Sequence, residues 1–161
     1  MMTETRSDEH WLLLGGHAAV SEDQLWTAWL GLASRYQNDS MRANSIDVEF
    51  IRLIAGTHQI RVAFERAGIT VGDEMAWLIH LPDFSSDSIH EMSWPTLDRH
   101  ALDHEALRLM TILGATLLPH LPMPHAKTVE RLELEIEPEL MADYGAIERS
   151  ALAHIALADY S

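Results

Sequence analysis

Apolar residues recur along this chain with two spacings, and the changes between them mark its elements. "HWLLLGGHAAV" (residues 10–20) is a short apolar run with a central Gly-Gly, which predicts a strand that ends or turns near residue 15. Ser21, followed by Glu22 and Asp23, is a helix start with first-turn carboxylates. Leu25, Trp29 and Leu32 then keep helical spacing, predicting a helix over 21–36. "QNDSMRAN" is a polar loop whose Asn44 or the next residue, Ser45, can cap a second helix. There Ile46, Phe50, Leu53 and Ile54 form one face, and Val48 and Ile51 widen it until only a narrow polar strip with Glu49 and Arg52 remains. A helix so nearly apolar all round belongs deep in a core. Gly56 closes it, and Thr57 can cap the next helix, in which Ile60, Ala63, Phe64 and Ala67 point inward and His58, Arg61 and Glu65 outward, until Gly68. Burial of Ile60 and Phe64, worth about 1.5–3 kcal/mol each, would fix that orientation.

Beyond Gly68 the spacing changes. "EMAWLIHLP" is a continuous apolar run of strand length stopped by Pro82, which predicts a central buried strand, and 83–95 reads as loop. A helix capped by Thr96 or Asp98 carries Leu102, Ala106, Leu109, Met110 and Leu113 inward and ends at Gly114. "TLLPHLPMPH" has three prolines in six residues and reads as a crossing loop, with room for a short edge strand. The remainder predicts a helix near 127–134, a short helix from Pro138 to Gly145, and a last segment from Ala146 that can finish as a strand. The fold class is α+β, a mixed α/β single domain over 1–161 with a small central sheet packed by several helices and residues 1–9 disordered.

Composition narrows the function. The chain has no cysteine, so disulfides and thiolate chemistry are excluded and a metal would need His and carboxylate ligands. The N-terminus lacks the charge pattern of a secretory signal, and no apolar run reaches the ~20 residues of a membrane helix. A cytoplasmic protein without membrane contact is expected. Twenty-five carboxylates against eleven Lys and Arg give a net charge of −14, which opposes indiscriminate binding to DNA. The charge is uneven, however. Residues 35–66 hold Arg35, Arg42, Arg52, Arg61 and Arg66 against only Asp39, Asp47, Glu49 and Glu65. Arginines scattered over solvated helix faces, with Arg52–Glu49 and Arg61–Glu65 as local pairs, would account for this.

No catalytic motif is visible. His100 and His104 share a helix face at the i, i+4 spacing of two-histidine zinc sites, with Glu105, His90, His120 or His125 as a third ligand. Ala101 stands where the metalloprotease pattern requires Glu, so the pair reads as two surface histidines. There is no G-x-S-x-G elbow and no phosphate-binding glycine loop, and the alternating Glu133, Glu135, Glu137 and Glu139 suit a solvated face. No cofactor is called for. What remains is the junction "IRLIAGTHQIR". A helix beginning at Gly56, Thr57, His58 and Gln59 turns free amides outward, and His58 and Arg61 add side-chain donors beside them, with Arg52 nearby.

"VEFIRLIAGTHQIRVAFERAGI" resembles the signature region of the KEOPS accessory subunit family, archaeal type, which includes the PRPK-binding protein (TPRKB) and the CGI proteins. The family pattern E-I-L-L-R-x-A-G, followed by x-x-Q-I-x-x-A-I-x-x-x-G-I, is matched by Glu49, Arg52, Ala55, Gly56, Gln59, Ile60, Ala63, Gly68 and Ile69. "MAWLIHLP" follows as in the family, and "IERSALAHIALADY" is similar to its C-terminal pattern. The part before Ser21 is shorter than in the family, and 83–126 is longer and richer in proline and histidine.

The resemblance implies a non-catalytic subunit of the assembly that installs threonylcarbamoyladenosine (t6A) on tRNA, binding the kinase-fold subunit and recruiting tRNA through its 3′ CCA end. Under that implication the RNA contacts are Arg52, Gly56, Thr57, His58, Gln59 and Arg61. The candidates for protein contact are Val62, Leu152 and Ile155. A pure protein-interaction module that docks on a kinase without touching RNA is the alternative.

Overall fold

The computed structural model describes residues 8–84 and 96–161. The expected disorder before residue 8 and most of the expected 83–95 loop lie outside the described residues. Two strands, β1 (Trp11–Gly15) and β2 (Ala76–His80), pair antiparallel with Trp11 opposite His80 and Gly15 opposite Ala76. Among the described residues there are six helices: α1 (Glu22–Gln37), α2 (Ile46–Ile54), α3 (Ile60–Ala67), α4 (Arg99–Leu113), α5 (Ala126–Leu132) and α6 (Tyr144–Ala156). A 3₁₀ turn covers Pro138–Leu140. The result is the mixed α+β domain that the spacing predicts. No helix among the described residues is long and apolar enough to cross a membrane.

The centre of the molecule is α2. Its near-continuous apolar surface is used on all sides, against α1, α3, α6 and β1, and every residue of it except Val48 is buried. Phe50, Leu53 and Ile54 meet Leu14, Val20, Leu32, Leu132 and Ile147 in one core. The α1 start is as predicted, with Ser21 Oγ accepting from the Gln24 amide at 3.1 Å. Gln24 is itself buried and ties the β1–α1 connection by accepting from Val20 N at 2.8 Å and donating to Ala18 O at 3.3 Å.

Four expectations are corrected. β2 is half-buried in a two-stranded sheet rather than central, because its apolar side chains Trp77 and Ile79 pack on the core from one side. α3 is turned: Ala63 and Ala67 are buried, while Ile60 and Phe64 are 41% and 42% exposed. Two alanines four residues apart let the α3 backbone approach α2 closely, and the larger side chains beside them are pushed toward solvent. In α4, Leu109 alone is buried; Leu102, Ala106, Met110 and Leu113 are half-covered. Finally, the C-terminal region is one helix. Gly145 lies in the first turn of α6, where Asp143 Oδ1 accepts from the amides of Gly145 and Ala146 at 2.9 and 3.2 Å. Asp98 caps α4 and Gly114, at φ 65°, ends it, as the sequence predicts.

Candidate functional site: the α2–α3 corner

Between α2 and α3 the chain reverses over five residues, and the turn is held from beneath by Arg52. Its side chain is 0% exposed, and its guanidinium makes four hydrogen bonds and a further ion pair. Nε and Nη2 fork onto Glu49 at 3.1 and 2.5 Å, Nη1 donates to Thr57 O at 3.2 Å and Ala158 O at 3.1 Å, and Nη2 also reaches Asp159 at 2.9 Å. Glu49, equally buried, accepts further from the amides of Arg42 and Ala43 at 3.1 and 2.9 Å. Asp159 is shared with Arg35 at 2.8 Å and Arg42 at 3.3 Å. Burial opposes the charge of Arg52, but its bonds to Glu49 and Asp159 outweigh this and hold the guanidinium pKa above its ordinary value. Burial likewise opposes the Asp159 carboxylate, and Arg35 and Arg52 together keep its pKa below the usual range.

Arg52 is therefore a correction to the expected RNA-contact set: it is the internal clamp of the corner and does not reach its surface. Most of the arginine enrichment has the same explanation. Arg66 donates to Ala55 O at 3.4 Å and pairs with Glu133, so of the five arginines in 35–66 the one whose side chain stands fully out is Arg61, 92% exposed and 2.9 Å from Glu65. Both local pairs expected from the sequence, Arg52–Glu49 and Arg61–Glu65, are present.

Gly56 makes the turn possible. Its φ of 62° lies in the left-handed region, and a β-carbon there would fall 1.9 Å from the His154 ring of α6. The His154 Nε2–H donates to Ala55 O at 2.9 Å, sealing the last turn of α2. Thr57 is buried; its Oγ1 accepts from Gln59 N at 3.2 Å and donates to Ser161 O at 3.3 Å. Thr57 thus braces the turn from outside the helix, and Gln59 occupies the N-cap position without a side-chain cap. The first i to i−4 bond of α3 runs from Ala63 N to Gln59 O at 2.9 Å, so the amides of Ile60, Arg61 and Val62 point out of the helix end.

At the far end, α3 is anchored by Arg131. It donates to the carbonyls of Arg66 at 2.8 Å and Gly68 at 2.6 Å and forks onto Asp73 at 2.5 and 2.8 Å. The Arg131 hydrogen bonds hold the Asp73 carboxyl far below the ordinary range. Gly68 is required by proximity: a β-carbon would come 2.6 Å from Phe64 O and 3.1 Å from the Phe64 ring. Pinned at both ends, the corner presents His58, Gln59, Ile60, Arg61 and Phe64 outward, with Gly56 and Thr57 buried under them. Ile60 and Phe64 are surface residues that apolar spacing alone places inside; the Ala63–Ala67 spacing is the signal of which face packs. Among the expected protein contacts, Val62 and Leu152 are half-buried, while Ile155 is a core residue against α2 and β1 and is corrected on that ground.

Elsewhere, His100 and His104 are exposed on α4, and among the described residues no group of three or more His or carboxylate side chains is placed to hold a metal ion. His154 has a measurable signature. Its burial, only partly offset by the bond to Ala55 O, holds its pKa below the ordinary 6.5, so the folded protein keeps it neutral. As pH falls below 6.5, the unfolded chain takes up a proton that the folded one refuses, and stability is lost until the depressed folded pKa is passed. The stability advantage of wild type over His154→Gln is therefore expected to shrink between pH 7.5 and 5.5 in denaturant titrations at constant ionic strength. An advantage that grows on acidification would contradict this assignment.

Compared with known proteins, the chain matches no family model and no curated protein.

Proposed function

We propose that this protein is a non-catalytic, tRNA-recruiting subunit of a KEOPS-type t6A-modifying assembly, reading the 3′ CCA end at the α2–α3 corner and docking on a kinase-fold partner. One observation carries the reading. The buried residues of the family-like motif, Glu49, Arg52, Ala55, Gly56, Ala63 and Gly68, form the framework of a single turn, and the residues that this turn leaves outside are suited to a short RNA tail. Single-stranded RNA ends are bound by stacking unstacked bases on flat side chains and by a few donors to phosphate and base edges. Phe64 supplies a half-exposed ring one helical turn from Arg61, and His58, Gln59, Arg61 and the first-turn amides supply donors. Val62 and Leu152, each partly exposed, remain the candidates for the kinase-fold partner.

Because Arg61 is the one outward guanidinium at the corner among the described residues, affinity depends little on counterion release. The logarithm of the binding constant should fall against log salt with a slope of roughly −0.7 to −1.5, not the steep slope of a basic face. The test compares intact deacylated tRNA with the same tRNA lacking CCA, across salt concentration. Tighter binding of the intact tRNA with a shallow slope is expected; equal affinities would remove the CCA reading.

A second reading is favoured by the intramolecular pairing of Arg35, Arg42, Arg52 and Arg66 with carboxylates and by the exposed Ile60, Phe64, Ile69 and Val71. On it, the α3 face docks on a protein partner and no RNA is held. A normal affinity for the kinase-fold subunit together with no tRNA binding by the pair is its distinguishing result.

A further inference from the structure

Two of the corner's donor residues, His58 and Thr57, are already occupied, and the occupant is the segment that follows α6. After Ala156 the chain leaves the helix and crosses to the α2–α3 turn. There three donors converge on the Ser161 carbonyl oxygen: the His58 amide at 3.0 Å, Thr57 Oγ1 at 3.3 Å, and His58 Nδ1. The crossing is fixed upstream by Asp159 in the Arg35, Arg42 and Arg52 cluster and by Ala158 O on Arg52. Beyond Asp159 the attachment changes character. Tyr160 is 86% exposed, and among the described residues the contacts given for Tyr160 and Ser161 are the bonds at the corner and local bonds to Leu157. These donors lie just before the Gln59 N-cap, so the Ser161 oxygen holds His58 by its amide and its ring beside the outward amides of Ile60, Arg61 and Val62.

We infer that residues 160–161 form a displaceable strap that competes with the RNA 3′ end for the His58 and Thr57 donors. This inference rests on the function proposed above and concerns the regulation of the same site. The hinge is Asp159: the chain before it is clamped in the buried arginine cluster, and the two residues after it are held by the donors that the ligand needs. Binding therefore requires the strap to leave, and the apparent affinity is reduced by the fraction of molecules in which it is closed. The anchored hinge keeps the released strap near the corner, so it returns when the RNA dissociates.

The experiment uses the full chain, a version ending at Asp159, and Tyr160→Gly, which loosens the strap without shortening it. The probe is a short oligonucleotide ending in CCA, against the same oligonucleotide ending in CC. Thermal unfolding and hydrogen exchange of the His58 amide accompany the binding isotherms. Truncation should leave the melting temperature within a few degrees, because the Asp159 cluster is kept, and should abolish protection of the His58 amide. Affinity for the CCA oligonucleotide should rise about tenfold, as expected if the strap is closed roughly nine-tenths of the time. Tyr160→Gly should move affinity the same way by less. Unchanged or weaker binding after truncation, with the full chain still preferring CCA, overturns the strap and leaves the proposed function standing. No CCA preference in either form overturns both.

Discussion

Arg52→Ala is expected to destabilise the protein by about 3–5 kcal/mol, enough to lower the melting temperature by roughly 6–20 °C. The magnitude comes from the groups that the substitution leaves behind. Glu49 and Asp159 are held by the guanidinium, and Glu49 has no exposed surface at all. Without Arg52 a buried carboxylate keeps two amide donors from Arg42 and Ala43 and a distant Arg35 at 3.7 Å, too little to replace hydration. Two carbonyls, Thr57 O and Ala158 O, lose their donor in the same step, so the turn and the C-terminal crossing loosen together. Arg52→Lys restores a charge but not five planar donors and should recover only part of the loss. Arg61→Ala, on a solvated side chain, should lie within about 0.5 kcal/mol of wild type. Urea unfolding of the three variants measures the ordering. An Arg52→Ala protein as stable as Arg61→Ala would mean that the cluster is not the corner's clamp.

The second large effect is expected at Gly56. Gly56→Ala places a methyl where the His154 ring lies and forces an L-residue into the left-handed region, which alone costs about 1–2 kcal/mol. Displacing the ring from a packed site adds about 1–3 kcal/mol and breaks the His154 bond to Ala55 O. The two contributions separate in a double-mutant cycle. In a His154→Ala background the clash is gone, and Gly56→Ala should cost only the backbone strain, giving a coupling of at least about 1 kcal/mol. Additive losses would show that ring and glycine do not meet. On the function proposed above, Gly56→Ala should also weaken RNA binding beyond its effect on stability, because the φ of that residue sets the positions of Thr57 and His58.

What could be read from the sequence was governed by local spacing. The α1, α2 and α4 helices are legible in their apolar periods, α5 only as a helix near 127–134, and Ser21, Asp98 and Gly114 act where their chemistry places them. The deep burial of α2 followed from its apolar circumference. The orientation of α3 did not follow, because hydrophobicity ranks Ile60 and Phe64 above Ala63 and Ala67, whereas close helix contact selects the small residues. Gly145 looked like a stop but is accommodated in a first turn capped by Asp143. The candidate corner was located correctly as a turn, and its interior was not. Arg52 bonds Ala158 across a separation of 106 residues, and no local pattern announces a partner that distant. Most of the arginines enriched in 35–66, read as scattered over solvated helix faces, are instead engaged by carboxylates and carbonyls, several from distant parts of the chain. The surface is left to His58, Gln59, Arg61 and the unforeseen Phe64.

The most direct test of this account substitutes that surface while leaving the clamp intact. Arg61→Ala/Phe64→Ala, with a melting temperature within a few degrees of wild type, should bind intact tRNA at least about tenfold more weakly, since stacking one base contributes about 1–3 kcal/mol. It should also no longer distinguish intact tRNA from tRNA lacking CCA. Wild-type affinity and an undiminished CCA preference in this folded variant would contradict the assignment of the corner to the RNA end.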